Sequence, residues 1–204
     1  MKKYIILTFA ALGLLLTSCE KDPDTDKLND DYLVLTNYDG SADFKDINTF
    51  YVIDSILIIG NDTKVEYWKN ENSQKIIDAY NDNFISRGYT PVSKGKDADA
   101  VFQLSYINTT YYFNNSAGPW WNNYPGYWNW GGWGWYYPFS FYYSYSTGSI
   151  IGELVDTRST RSDKKLTVIW NAYICGLLNG SNLSYSRTMS AINQAFEQSP
   201  YLTK

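Results

Sequence analysis

Ala100-Val101-Phe102-Gln103-Leu104-Ser105-Tyr106-Ile107 and Ile150-Ile151-Gly152-Glu153-Leu154-Val155-Asp156 are the stretches whose reading decides the fold. In the first, Phe102, Leu104 and Tyr106 alternate against Val101, Gln103 and Ser105, the period of a strand. The strand candidate continues to Phe113. The second is approached by Phe139, Phe141, Tyr143 and Tyr145 on one face, with Ser140, Tyr142, Ser144 and Ser146 on the other. The two arms are expected to pair as a long antiparallel hairpin, with residues 114–138 as its tip. A connection of that length is unusual in a compact domain and tends to be functional or disordered.

The connection is dense in rings. Eighteen of the thirty-five residues from Tyr111 to Tyr145 are aromatic, six of them tryptophans. At roughly 150–250 Å² each, they represent roughly 2,700–4,500 Å². The largest apolar patch on a typical monomer is about 300–600 Å². Such a segment has to be covered by its own domain, another copy of the chain, a membrane interface or a ligand such as a glycan. Trp120, Trp121, Tyr124, Tyr127, Trp128, Trp130, Trp133 and Trp135 are the candidate contacts, with Asn122, Asn123 and Asn129 able to bond sugar hydroxyls. Gly131-Gly132 has no following Lys-Ser/Thr and is not a phosphate loop.

Further strands are expected over Tyr32–Thr36, Thr49–Ile53 and Leu166–Cys175. One helix is expected from about Ser73 to Arg87, with Ile76, Ile77, Tyr80, Phe84 and Ile85 on its buried stripe. Asn72 or Ser73 would cap it and Gly88 would stop it. A last helix spans about Ser184 to Gln198, with Met189, Ile192, Ala195 and Phe196 inward, and Pro200 ends it. The fold class is α+β: a mostly antiparallel sheet, two helices packed on one face, and the long aromatic hairpin as an insert.

The N-terminus reads as an export signal. Lys2 and Lys3 precede an apolar run from Ile5 to Leu16, too short to span a bilayer. Leu16-Thr17-Ser18-Cys19 resembles the lipobox of bacterial lipoproteins, which implies cleavage before Cys19 and lipidation there. Residues 1–18 are then the signal peptide, 19–31 the lipidated Cys and an acidic tether, and 32–204 one domain. Glu20-Lys21-Asp22-Pro23-Asp24 partly resembles a surface-export tag of Bacteroidetes lipoproteins. The expected address is the outer membrane, on its periplasmic or cell-surface face, with the membrane as a partner through the anchor.

The formal charge is −4, and loss of Lys2 and Lys3 takes it to about −6. No basic patch emerges, which argues against nucleic acid. The chain has no histidine and two cysteines. Ser-His-Asp and Cys-His catalysis and histidine zinc sites are excluded. With Cys19 acylated, Cys175 is left alone as a small core residue. Glu153 and Asp156 are the acids to check, since two carboxylates suffice for glycoside hydrolysis. Three apart on a strand they face opposite ways, and they read as a solvated edge acid and a turn former. No catalytic residue, metal or cofactor is expected.

Asp99-Ala100-Val101-Phe102, Gly148 through Asp156, Ile169-Trp170-Asn171-Ala172, the terminal helix closing on Pro200 and the early Asp43-Phe44 before Thr49-Phe50 occur in an order that resembles the domain-of-unknown-function 4136 family of bacterial lipoproteins, over roughly Leu33 to Leu202. That resemblance implies a fold and an address and supplies no reaction. Three roles stay open. The first is a non-catalytic interaction or structural module with an envelope protein partner. The others are glycan binding by Trp/Tyr stacking and docking of the rings at a membrane interface.

Overall fold

A computed structural model describes residues 32–60, 65–108, 111–112, 134–139, 144–145, 147–158, 165–179 and 182–204. Among the described residues the main sheet has eight strands. Its strands are β1 (Leu33–Tyr38), β2 (Thr49–Ile59), β3 (Glu66–Trp68), β4 (Thr90–Pro91), β5 (Ala100–Ile107), β7 (Gly134–Tyr136), β9 (Ser149–Asp156) and β10 (Lys165–Cys175). Two small ladders stand apart, β6 (Tyr111–Tyr112) with β8 (Ser144–Tyr145), and β11 (Leu178–Asn179) with β12 (Asn182–Leu183). The helices are α1 (Glu71–Ser86) and α2 (Tyr185–Glu197).

The long path runs β1-β10-β9-β5-β2-β3, with β4 on β2 and β7 on β10. The expected hairpin is its centre: β5 and β9 pair antiparallel from Ala100↔Asp156 to Ile107↔Ser149. Four residues further along each arm, Tyr111 faces Tyr145, so the same register resumes after a break. The sheet is mixed, because β2 pairs parallel with β5 and with β4. The strand begun at Thr49 runs on to Ile59 through a register shift between Val52 and Ile56.

Both helices pack on one face. The buried stripe of α1 is Ser73, Ile76, Ile77, Tyr80 and Phe84. Ile85 is 45% exposed, against expectation, because one residue further turns 100° off a stripe that already closes at Phe84. The cap is Asn70, two to three residues earlier than expected: its side chain accepts from the amides of Asn72 (2.9 Å) and Ser73 (3.0 Å), and the Ser73 hydroxyl accepts from the Asn70 amide (2.8 Å). This reciprocal pair satisfies the orphan donors of the first turn. Gly88, at φ 93°, carries the left-handed stop. α2 buries Thr188, Ala191, Ile192, Ala195 and Phe196, and Met189 packs against them half-buried.

Between helices and sheet, Phe84 meets Trp170, Phe102 and Phe196 at 6.2, 5.1 and 5.0 Å between ring centroids. The indole of Trp170 donates to Ser199 Oγ at 2.9 Å. Arg87 donates to the carbonyls of Ser199, Leu202 and Phe196, binding the chain's end to the first helix. Gly152 is required in β9 because a Cβ there would overlap the Phe102 ring. Tyr80 is fully buried and its hydroxyl has no hydrogen-bond partner among the described residues. A buried unsatisfied hydroxyl costs about 1–3 kcal/mol. Tyr80→Phe therefore raises stability by about 1 kcal/mol in urea denaturation. A loss of stability would mean that the hydroxyl is paired.

Candidate functional site

Alternation fixes what each face of the central strands carries. Phe102, Leu104, Leu154, Trp170 and Ala172 point into the helix-side core. Val101, Gln103, Ser105, Ile151, Glu153, Val155, Asn171 and Tyr173 point the other way, yet all are buried. The sheet is thus covered on both faces.

The described end of the ring-rich connection joins the sheet beside β10 and turns Trp135 and Tyr137 to this second face. β7 pairs parallel with β10, Gly134↔Lys165 to Tyr136↔Thr167. This departs from the expected hairpin tip over 114–138, whose final residues instead join the sheet alongside β10. Trp135, 4% exposed, packs with Val155, Leu166 and Val168, and Tyr137 and Phe139 pack against that cluster. Trp135 is therefore a core ring in the protein alone. The other seven candidate contacts, Trp120, Trp121, Tyr124, Tyr127, Trp128, Trp130 and Trp133, lie outside the described residues, as does Cys19.

A strand's side chains alternate, so Tyr136 and Pro138 fall on the opposite side from Trp135 and Tyr137. There they wall an open cleft of about 440 Å³, together with Asp39, Asp43, Asp156 and Thr167. Asp39 Oδ1 accepts from the Ser41 amide (2.8 Å) and hydroxyl (2.6 Å). Asp43 Oδ1 accepts from the Lys45 amide at 3.0 Å. The second oxygen of each has no hydrogen-bond partner among the described residues. Asp156 is committed to Arg158, Oδ2 to Nη2 at 2.9 Å and Oδ1 to the amide at 2.8 Å, which fits its expected turn-forming role. Among the described residues no acids converge as a metal-ligand group. The cleft offers a ring, a hydroxyl and carboxylate acceptors, suited to a cationic side chain or a sugar diol. Tyr136 lies in the ring-rich run but was not among its eight candidate contacts. Asp39 and Asp43 were not legible, since each sits in a turn-like acidic loop with no spacing that marks a site.

Glu153 overturns its reading as a solvated edge acid. β9 lies between β5 and β10, and Glu153 is 1% exposed. It faces Gln103 on β5 and Asn171 on β10, and Asn171 in turn takes the Asn37 amide at 3.0 Å. Tyr137 donates its hydroxyl to Glu153 Oε1. Burial pushes the Glu153 carboxyl up to about 8, and the Tyr137 hydrogen bond only partly opposes this. Asp99 is the contrasting acid. Burial raises it, but the amides of Thr49 (2.9 Å) and Asn48 (2.8 Å) donate to it and hold it below the usual carboxylate range. Cys175 ends β10 half-buried opposite Leu33, less enclosed than a core residue.

A crystal structure of a DUF4136 family protein from Bacteroides thetaiotaomicron VPI-5482 is similar at 45% identity and TM-score 0.76, covering 86% of this chain and 99% of that one. A PDZ domain protein from Parabacteroides distasonis aligns at 15% identity and TM-score 0.42, over 85% of this chain and 37% of its own, too weakly to carry any argument. Among curated proteins nothing matches. The family described as "Domain of unknown function (DUF4136)" matches residues 34–201, nearly the whole described body, and the chain belongs to that family.

Proposed function

We propose that this chain is a non-catalytic interaction module of the cell envelope, tethered by lipid on Cys19, which engages an envelope protein through the ring-rich connection and the cleft where that connection joins the sheet. The observation that carries the reading is the seating of β7. It fixes one end of the connection on β10 and sets Tyr136 and Pro138 opposite Asp39 and Asp43 in an open cleft. Rings that combine area with a polar handle are favoured at interfaces. A basic side chain of the partner matches the carboxylates and the Tyr136 ring together. The two acids weighed for hydrolysis fit that chemistry poorly, since Glu153 is buried and Asp156 is bound to Arg158.

The test places a photo-crosslinking amino acid at Tyr136 of the full-length protein in a Bacteroides host, with Tyr67, 48% exposed on β3, as the control. A discrete protein adduct from position 136, lost in Asp39→Asn/Asp43→Asn and missing from position 67, is the expected result. Equal labelling from both positions refutes the reading. Intact mass of the mature protein checks the anchor: an unacylated Cys19 removes it.

Glycan binding is the second reading, favoured by a ring and carboxylates sharing one cleft. Affinity electrophoresis decides it. Retardation by a polysaccharide that is at least tenfold weaker in Tyr136→Ala supports it, and no retardation of the folded protein by any polysaccharide removes it. Docking at a membrane interface is the third, and tryptophan emission unchanged by liposomes counts against it.

A further inference from the structure

Among the described residues Glu153 is the one buried carboxyl, and neither reading of the cleft uses it. The groups that face it can be named element by element. β5 brings Gln103, and β10 brings Asn171 and, two residues on, Tyr173. The covering segment brings Tyr137, and β1 brings Asn37, whose amide is spent on Asn171. The only titratable neighbours in this set are the phenols of Tyr137 and Tyr173. The cations at β9 and β10 among the described residues lie at the strand ends: Lys165 at the exposed start of β10, Arg158 beyond the end of β9 and bound to Asp156. No described positive charge is placed to hold a carboxylate at the sheet's centre.

A second observation is independent of this. Gln103 Oε1 is buried with no hydrogen-bond partner among the described residues, directly across the ladder from Glu153. Opposed side chains in an antiparallel pair have Cβ atoms about 4.5–5.5 Å apart. A carboxylate has only acceptors to offer to that orphan acceptor. A protonated carboxyl has a donor, and it keeps its other oxygen for the Tyr137 hydroxyl. With the Gln103 amide in this orientation, the polar row is satisfied when Glu153 carries its proton.

We infer that Gln103, Glu153 and Tyr137 form a proton-controlled clasp that holds the β7 end of the ring-rich connection on the sheet and releases it as the medium turns alkaline. An ionised Glu153 needs water, and water reaches it when the segment bearing Trp135 and Tyr137 lifts. The closed form binds the proton and the open form lets it go, in agreement with the upward shift of the carboxyl. Lifting β7 also removes Tyr136 from the wall of the cleft, so the clasp would govern that surface. The clasp is read in the protein alone and stands or falls whatever the cleft binds.

Hydrogen exchange of the full-length protein tests it, with rates corrected for their intrinsic base catalysis. Protection of the β7 amides and of residues 165–167 falls by up to tenfold per pH unit from about pH 5 to about pH 8, one unit of pKa difference being tenfold in the opening constant, and then levels. Glu153→Gln, neutral and nearly isosteric, flattens the profile. Tyr137→Phe keeps the ring and removes the donor, and protection at about pH 6 drops several-fold while the pH slope persists. A wild-type profile independent of pH, an equal slope in Glu153→Gln, or undiminished protection in Tyr137→Phe overturns the inference.

Discussion

Trp170→Ala destabilises the protein by roughly 3–5 kcal/mol, the range for deleting a large buried ring, against a total of about 5–15 kcal/mol for a native domain. Trp170 is fully buried in β10, at the point where both helices meet the sheet. Its ring lies 6.2, 6.0 and 5.3 Å from those of Phe84, Phe102 and Phe196. Truncation opens a cavity among three elements at once and strips Ser199 Oγ of its indole donor, leaving Tyr201 as its remaining partner at 3.3 Å. The chain around the site has little freedom to collapse. Arg87 fixes the backbone carbonyls of residues 196, 199 and 202, and a register shift between Val168 and Trp170 sets the strand there. Urea denaturation followed by far-UV circular dichroism measures the effect. A loss under about 1 kcal/mol would mean that the helices are not seated on Trp170.

Glu153→Gln makes the protein more stable at pH 8 by a few kcal/mol and removes a slope from its pH profile. The folded carboxyl holds its proton to about pH 8, whereas the ordinary value is 4.5. Between those limits the folded state binds one proton more than the unfolded chain. Stability is complete below about pH 4.5 and declines by roughly 1.4 kcal/mol per pH unit as the pH rises toward 8. Asp99 acts in the opposite sense: held low by the Asn48 and Thr49 amides, it contributes above the ordinary carboxylate range and is lost as the pH falls. The difference between wild type and Glu153→Gln isolates the buried acid from such groups. Glutamine can still accept the Tyr137 hydroxyl and can donate its amide toward Gln103. A difference profile that is flat from pH 5 to pH 9, or a variant less stable at every pH, contradicts the assignment.

Much of the architecture was legible because it rests on periodicity. The alternation of Phe102, Leu104 and Tyr106 gave the hairpin arms, and the stripe from Ile76 to Phe84 gave the first helix. What alternation could not give was depth. Gln103, Glu153 and Asn171 fall on the face away from Phe102, and polar residues at period two read as a solvated side. The contrary signal was present: Ile150-Ile151 and Leu154-Val155 bracket Glu153 with apolar residues on both faces, the mark of a strand covered on both sides. The parallel seating of β7 was not legible, since three residues within a run of rings carry no strand pattern of their own. Nor did composition separate Trp135, a core ring, from Tyr136 beside it. That distinction arises only when Gly134–Tyr136 pairs with β10 and assigns alternate side chains to opposite sides. The cleft joins residues some hundred positions apart, Asp39 and Asp43 with Tyr136 and Asp156, and only the closing of the sheet brings them together.

Hydroxyl-radical footprinting of the lipidated full-length protein, compared between purified material and intact envelopes, addresses the proposed role most directly. The account predicts that Tyr136 and Pro138 are oxidised in the purified protein and at least fivefold protected in the envelope, while Tyr67 on the opposite edge reacts equally in both. Equal oxidation of Tyr136 in the two preparations would mean that nothing in the envelope covers the cleft, and the interaction reading would fail.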